Sequence, residues 1–247
     1  MGWFDNHCHI HDEGLGNEAV QRSLSNGVEG MITVGCDLPT SLAAIATAEA
    51  NASVWATVGL HPHDASLGLD GLEALLAHPK VVAVGECGLD YFYDHSPRDI
   101  QRPIFEQQIA WAHEYDLPLV IHTRDAWDDT FEILASSKVP RRTIFHCFTG
   151  GPNEAEKCLA LGAYLSFSGI VTFKNSADNK AAATMCPADR LMVETDAPFL
   201  TPDPFRGRKN EPWYVSRVGE VIAGLRGVPV DEIQAATTAN ARLVYGL

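Results

Sequence analysis

The chain has 247 residues, a hydrophobic fraction of 46% and a formal net charge of −14. A chain of this length can bury one large core, and its first residues include no apolar segment flanked by basic residues. No apolar stretch approaches the roughly 20 residues that a membrane-spanning helix needs. We therefore expect a cytoplasmic protein without a membrane segment or an obligate protein partner, whose six cysteines are reduced thiols.

Apolar, β-branched runs alternate with segments of helical periodicity along the chain. The predicted strands are Trp3–Ile10, Gly30–Gly35, Val54–Leu60, Val81–Gly85, Leu119–Ile121, Thr143–Phe145, one within Tyr164–Phe173, and Leu191–Thr195. The predicted helices are Asn17–Val28, Pro39–Asn51, Leu69–His78, Ile100–Tyr115, Trp127–Ser136, Glu154–Leu161, Lys180–Cys186, Trp213–Leu225 and Val230–Tyr245. This order predicts a single domain over residues 1–247, an α/β fold of the (β/α)₈ TIM-barrel type. A doubly wound open sheet is the alternative fold.

Side chains that bind metal ions recur at or just after the ends of five apolar runs. They are His7, His9, Glu86, His122, His146 and Asp196. Alternate side chains on a strand share a face, so His7 and His9 point the same way while Cys8 points the other. In a parallel barrel the carboxyl ends of the strands meet at one mouth, where active sites lie. An open sheet offers one crevice at a strand-order reversal, which five separate strands could hardly share.

Neighbours of these residues are given more ordinary roles. Cys8, Cys87 and Cys147 are expected to point away from the site and to pack against the helices. Asp5 and Glu194 share the faces of His7 and Asp196, so each could orient a ligand or pack within the barrel. His63 carries no second signal and is expected to be a surface or capping residue.

The acidic composition is unfavourable for binding nucleic acid, because basic side chains usually supply the affinity for phosphate. Charge distribution matters more than the total, however. Arg206, Arg208 and Lys209 follow Asp196 by about ten residues, and Arg124 follows His122 by two. If the substrate carries phosphate, we expect all four to contact it. The alternatives are a solvated basic turn for the first three and, for Arg124, an ion pair with Asp125 or Asp128.

Six segments of the chain resemble the successive signatures of the TatD-type metal-dependent deoxyribonucleases, which are amidohydrolase-like barrels. The segments are DNHCH at 5–9, GLHPH at 59–63, VGECGLDY at 84–91, IHTRD at 121–125, FHCFTG at 145–150 and VETDAP at 193–198. The closing NEP at 210–212 and TANAR at 238–242 are also similar. The resemblance therefore runs almost from end to end.

The resemblance implies a hydrolase of phosphodiester bonds that carries two divalent metal ions and trims DNA or oligonucleotides as an exonuclease. One ion would take His7, His9 and Asp196, the other His122 and His146, and Glu86 would bridge them. Such nitrogen-rich ligands suit Zn²⁺ or Mn²⁺ better than Mg²⁺, with which the family is usually associated.

The catalytic residues would be Glu86, Asp196 and His61. Asp196 would orient the attacking water and accept its proton, while His61 and Arg124 would donate to the phosphate. For His61, a core histidine satisfied by the backbone is the alternative.

Two other classes of function use the same residues. A hydrolase of C–N or ester bonds, including one that removes an aminoacyl group from tRNA, needs the same metals and the same barrel. A non-catalytic metal-binding protein is less consistent with a bridging Glu86 and a free Asp196.

Overall fold

The computed structural model describes residues 2–11 and 15–247. Within them, eight strands form one parallel sheet whose spatial order follows the chain. The strands are β1 (Trp3–Cys8), β2 (Val28–Val34), β3 (Val54–Val58), β4 (Val81–Asp90), β5 (Leu119–Arg124), β6 (Thr143–Phe145), β7 (Tyr164–Phe167) and β8 (Leu191–Val193). The helices are α1 (Gly16–Ser25), α2 (Leu38–Ala50), α3 (Arg98–Glu114), α4 (Trp127–Ser137), α5 (Pro152–Ala160), α6 (Ala177–Met185), α7 (Val215–Arg226) and α8 (Val230–Tyr245).

The first and last strands close the sheet into a barrel. Just beyond β8, the amide of Asp196 donates to the carbonyl of His7 at 2.9 Å, and the amide of His9 donates to the carbonyl of Ala197 at 2.7 Å. The carboxylate of Asp5 also accepts the amide of Thr195 at 2.8 Å. The prediction of a (β/α)₈ barrel is confirmed.

Two apolar layers hold the barrel together. The larger one lies between the strands and the surrounding helices. The smaller one fills the inside of the barrel with Phe4, Ile32, Val34, Val82, Val120, Ile144, Tyr164 and Met192, and α8 packs against it with Ala241, Val244 and Tyr245. Because side chains alternate along a strand, the next inward positions after Val120 and Ile144 are His122 and His146. The polar site therefore begins one layer above the apolar interior.

The predicted helix Leu69–His78 is wrong. Two short 3₁₀ segments, Pro62–Leu67 and Glu73–Leu75, stand between β3 and β4 instead. Gly71 adopts a φ of 83°, which a helix cannot contain, and Pro79 disfavours a helical backbone at the residue before it. The stretch between Gly71 and Pro79 is too short for a regular helix. Instead, the amides of Leu75 and Leu76 donate to the carbonyls of Leu72 and Glu73, three residues earlier, as in a 3₁₀ turn.

Two boundaries also differ in ways that matter for the site. β4 continues to Asp90 rather than ending at Gly85, so Glu86 lies inside the strand. The predicted helix Asn17–Val28 ends at Ser25, because Val28 already belongs to β2. No helix in residues 2–11 and 15–247 is long and apolar enough to cross a membrane.

Replacing Gly88 with alanine should destabilise the protein. Gly88 has a φ of 135°, and an added Cβ would lie 2.0 Å from the carbonyl oxygen of His122, so β4 and β5 would be forced apart. We expect a loss of about 1–3 kcal/mol, as for other overpacked positions, measured as a lower midpoint of urea unfolding.

Gly224→Ala is the matched control for this substitution. Gly224 lies in α7, and its added methyl group would meet no atom within 4 Å. Alanine favours helix over glycine by up to about 1 kcal/mol, so this midpoint should rise. Equal midpoints for the two variants would contradict the predicted close approach of β4 and β5.

Candidate metal centre

The mouth of the barrel holds a cavity of about 770 Å³ lined by imidazole and carboxylate groups. The strand ends bring together all six residues that the sequence suggests as metal ligands, and these form part of three overlapping groups able to hold an ion. The groups are His7 with His9 and Glu86, His7 with His146 and Asp196, and His61 with Glu86 and His122.

Glu86 lies at the centre of this arrangement, and its two oxygens face different imidazoles. Oε1 is 2.8 Å from Nε2 of His146 and 3.0 Å from Nδ1 of His122. Oε2 is 3.2 Å from Nε2 of His7. The side chain is only 5% exposed, so these contacts replace nearly all of its hydration. One carboxylate thus faces imidazoles from three different strand ends.

Asp196 completes the set on the β1 side. Its Oδ1 lies 3.4 Å from Nε2 of His9 and 3.7 Å from Nε2 of His7. Ligands bound at ~2.0–2.2 Å from one ion lie roughly 2.8–3.6 Å from each other. The distances around Glu86 and Asp196 match this spacing to within 0.1 Å.

Neighbouring acceptors hold three of the imidazoles in the orientation that a metal requires. Nδ1 of His146 lies 3.2 Å from Glu194, Nε2 of His122 lies 2.9 Å from Asp90, and Nδ1 of His9 lies 3.2 Å from the carbonyl of Val34. When a ring is neutral, as a metal-binding imidazole must be, its acceptor takes the proton-bearing nitrogen. The other nitrogen then presents its lone pair to the cavity, as in carboxylate–histidine–metal arrangements.

Two buried nitrogens show that the site suits a cation. Nε2 of His7 and Nε2 of His146 make no hydrogen bond, although both point towards Glu86. Buried polar atoms without a partner are costly, and lone pairs that converge on one point can be satisfied by a positive ion. The donor set of nitrogen and carboxylate oxygen fits a divalent transition-type ion.

His61 differs from the other imidazoles in the direction of its proton. Its Nδ1 accepts the amide of His63 at 3.1 Å, so the neutral ring carries its hydrogen on Nε2, 3.4 Å from Oε1 of Glu86. Burial lowers the pKa of His61 to about 4, which keeps the ring neutral at neutral pH. His61 is close enough to share an ion with Glu86 and His122, but this tautomer makes it a donor.

Three carboxylates of the site are ionised. Burial would raise the pKa of Glu86, but the facing imidazoles of His146, His61 and His122 outweigh it and hold the pKa well below its usual range. The pKa of Asp196 is likewise lowered against burial, mainly by the facing imidazole of His9. Burial also opposes ionisation of Asp90, but hydrogen bonds from His122 and from the Tyr93 amide lower its pKa.

Asp90 and His63 are functional candidates that the sequence reasoning missed. Oδ2 of Asp90 lies 2.9 Å from Nε2 of His122 and 3.0 Å from Nε2 of His63. His63 lines the cavity, so the expectation that it is a surface or capping residue is wrong. The sequence reasoning ended β4 at Gly85, whereas the strand continues to Asp90. Asp90 follows Glu86 by an even number of residues, so on the longer strand the two side chains share a face.

The thiols of Cys8 and Cys87 point away from the site, as predicted, and donate to the carbonyls of Ile32 and Val120. Cys147 does not, because it lines the cavity with its Sγ 3.2 Å from the hydroxyl of Ser168. β6 ends at Phe145 and Cys147 has a φ of 40°, so strand alternation no longer applies there.

Asp5 and Glu194 accept hydrogen bonds that link separate segments beside the site. Asp5 accepts both the amide and the hydroxyl of Thr195, and so ties β1 to the end of β8 rather than orienting an imidazole. Glu194 accepts the amide of Cys147 at 2.8 Å as well as facing His146.

Arg124 lines the cavity beside two exposed aromatic rings. Its guanidinium stacks 4.0 Å from the ring centroid of Phe92 and 4.7 Å from that of Tyr93. Within residues 2–11 and 15–247 it forms no ion pair with Asp125 or Asp128. Stacking fixes the plane of the guanidinium while leaving its N–H groups open to the cavity.

Arg206, Arg208 and Lys209 are exposed but do not line the cavity. Arg206 packs over the ring of Phe173 at 4.2 Å and donates to the carbonyl of Thr201. The loop therefore lies beside the mouth rather than inside it. Its contact with substrate stays a prediction.

A parallel barrel whose mouth gathers buried imidazoles and carboxylates is typical of metal-dependent hydrolases. The family model described as TatD related DNase matches residues 4–246. The chain therefore belongs to the TatD family of metal-dependent hydrolases, and the resemblance seen in the sequence is confirmed.

Individual relatives extend this comparison. The chain is 44% identical to the uncharacterized metal-dependent hydrolase YabD of Bacillus subtilis, over 98% of both chains. It is 35% identical to a Klebsiella pneumoniae protein named 3'-5' ssDNA/RNA exonuclease TatD, over 94% of this chain and 92% of that one. The crystal structure of the TatD homolog YJJV from Escherichia coli superimposes with a TM-score of 0.93 at 30% identity, covering 99% of this chain and 98% of that one.

Asp90→Asn should weaken metal binding on the His122 side of the centre. An asparagine has one acceptor oxygen, so its NH₂ group must face His63 or His122, and the tautomer of His122 is no longer fixed. We expect Mn²⁺ binding that involves His122 to weaken by about 10–100-fold in titration calorimetry.

Asp125→Asn serves as the control, because it removes the same charge from the same cavity wall without a hydrogen bond to an imidazole. Unchanged binding in the Asp90 variant would show that Asp90 does not support the metal site. An equal loss in both variants would show that the charge and not the orientation of His122 matters.

Proposed function

We propose that the chain is a divalent-metal-dependent phosphodiesterase that removes nucleotides from the ends of DNA or oligonucleotides. The observation that carries this proposal is the position of Glu86, with one oxygen facing His122 and His146 and the other facing His7. Such a carboxylate suits two ions that share one bridge. Membership of the family and the name of the Klebsiella pneumoniae relative support a nucleic-acid substrate.

The proposed ligands divide into two sets around Glu86. His7, His9 and Asp196 hold one ion, and His122 and His146 hold the other. The many nitrogen donors favour Zn²⁺ or Mn²⁺ over Mg²⁺. When bound, two such ions lower the pKa of water and polarise the phosphoryl oxygens.

Asp196 is the proposed proton acceptor. Its Oδ1 faces both β1 imidazoles, so Oδ2 is the atom we assign to the attacking water. The lowered pKa of Asp196 keeps it ionised, and an ionised carboxylate can take the proton of the water and return it to the leaving oxygen.

His61 and Arg124 are the proposed donors to the phosphate. The neutral ring of His61 presents Nε2–H to the cavity, and Arg124 presents a guanidinium that can bind two phosphoryl oxygens at once. Both would strengthen their contacts as negative charge develops in the transition state.

Three exposed rings form the rim around these groups. Phe92 is 55% exposed, Tyr93 50% and Phe199 55%, and the last two line the cavity. Bases of a single strand stack on such rings whatever their sequence, with about 1–3 kcal/mol per base. The rim therefore suits a single-stranded end rather than a closed duplex.

Protein stripped of metal by a chelator should be inactive, and its activity should return on addition of Mn²⁺ or Zn²⁺. The measurement is turnover of a chromogenic phosphodiester and of end-labelled single-stranded DNA.

Asp196→Asn should lower kcat by at least ~10²-fold while most of the metal stays bound, because the amide can still touch the ion but is a poor base. Glu86→Gln should instead lose metal from both sides, measured by elemental analysis.

A panel of amide and ester substrates separates the alternatives. Turnover of amides or aminoacyl esters with none of phosphodiesters would replace the proposed function with C–N or ester hydrolysis. Bound metal without turnover of any substrate would indicate a metal-binding protein. Near-normal kcat in the Asp196 variant would remove that residue from its assigned role.

Arg124 and the basic loop should act on different substrates. Arg124→Ala removes a donor inside the cavity, so it should raise KM for the small chromogenic diester and for DNA alike. Changing Arg206, Arg208 and Lys209 together to alanine should raise KM for DNA only and reduce the slope of log affinity against log salt by about 0.7–1 per lost phosphate contact.

Steady-state kinetics at several salt concentrations check both expectations. Equal losses on both substrates in the triple variant would mean that the loop supports the fold. A triple variant with unchanged DNA kinetics would show that the loop does not contact DNA.

A further inference from the structure

β2 supplies a side chain to the metal centre that the six proposed ligands do not include. Ile32 and Val34 belong to the inner apolar layer, and continued alternation places Cys36 inward at the carboxyl end of the strand. This is the position on β2 that corresponds to His122 on β5 and His146 after β6. Cys36 accordingly lines the cavity.

The thiol of Cys36 contacts the β1 side of the centre. Its Sγ lies 3.8 Å from Oε2 of Glu86, the oxygen that also faces His7. The other oxygen, Oε1, faces His122 and His146. Cys36 therefore lies on the His7 side of Glu86.

Backbone contacts fix Cys36 from both sides. Its amide donates to the hydroxyl of Thr40 at 2.9 Å, within the capping structure that begins α2. Its carbonyl accepts the amide of His61 at 2.8 Å. The thiol is thus held by the same local structure that positions a proposed catalytic residue.

The spacing agrees with joint ligation of one ion. A sulfur bound at ~2.3 Å and an oxygen bound at ~2.0–2.2 Å lie roughly 3–4 Å apart in a five-coordinate shell. Independent support comes from His7, which is fully buried and has no hydrogen bond at Nε2, the nitrogen 3.2 Å from that same Glu86 oxygen. The carboxylate oxygen that the thiol faces is therefore also faced by an unpartnered imidazole.

We propose that Cys36 is a thiolate ligand of the ion held by His7, His9, Glu86 and Asp196, and that it makes this half of the centre selective for a soft ion such as Zn²⁺. This inference rests on the proposed metal centre. The thiol loses its proton to solvent when the ion binds. Thiolates select zinc-like ions and bind Mg²⁺ poorly, whereas the His122 and His146 half, without sulfur, tolerates a wider range of ions.

Spectroscopy of metal-loaded protein tests the proposal directly. X-ray absorption of the protein carrying Zn²⁺ should show a sulfur scatterer at ~2.3 Å. Protein loaded with Co²⁺ should show a near-ultraviolet sulfur-to-cobalt charge-transfer band, which nitrogen and oxygen ligands do not give. Cys36→Ser should abolish both signals while retaining the visible cobalt absorption that reports an intact site.

Cys147→Ser is the matched control, because Cys147 lines the same cavity but contacts Ser168 rather than the β1 histidines. It should keep both sulfur signals. Loss of the signals in this variant but not in Cys36→Ser would assign the sulfur ligand to Cys147 and overturn the proposal. Absence of sulfur in the native protein would also overturn it and leave Cys36 as a weak donor to Glu86.

Metal competition gives a second measurement. Cys36→Ser should weaken Zn²⁺ binding at one of two sites by at least ~10-fold and leave Mg²⁺ binding unchanged. Equal changes for both ions would mean that the substitution only disturbs packing. Failure of the native protein to bind any ion would contradict the proposed metal centre itself. Metal binding without a sulfur ligand would contradict only the proposed role of Cys36.

Discussion

The buried carboxylate of Glu86 is the constraint on which the rest of the site depends. Removing an ionised group from water costs several kcal/mol unless other groups replace its hydration. Here His7, His61, His122 and His146 surround the carboxylate, with the closest contact at 2.8 Å. Neutral imidazoles supply at most one N–H each, and two of the nitrogens that face Glu86 make no hydrogen bond. Positive charge from outside the chain is therefore the natural complement of this geometry.

The barrel provides that geometry through simple alternation. Apolar side chains fill the lower interior, and the next inward residue on several strands is polar. Three of the six proposed ligands, His9, His146 and Asp196, follow the ends of β1, β6 and β8 by one to three residues. Carboxylates behind the rings then fix them, as Asp90 does for His122 and Glu194 does for His146. Buried hydrogen bonds on and beside the strands thus contribute to the precision of the site.

Local patterns in the sequence were enough to predict the barrel and the six clustered residues, because each ligand follows an apolar run at a strand end. They were not enough for contacts that depend on where an element stops. β4 extends five residues beyond the expected end, which brought Asp90 and His63 into the site. Gly71 breaks a segment of helical composition, and the left-handed backbone at Cys147 turns its thiol into the cavity. The position of the 206–209 loop depends on packing such as Arg206 on Phe173, which no spacing in the sequence encodes.

The acidic character of the chain is compatible with a nucleic-acid substrate once its location is considered. Part of the formal charge of −14 belongs to Glu86, Asp90 and Asp196, which face imidazoles inside the mouth. Two divalent ions would bring four positive charges to this point, where the proposed function places the scissile phosphate. Away from it, the exposed rings of Phe92, Tyr93 and Phe199 offer stacking, which depends little on salt. An enzyme built this way needs no broad basic surface, and it would favour short, frayed ends over long duplexes, because a duplex offers phosphates but few free bases.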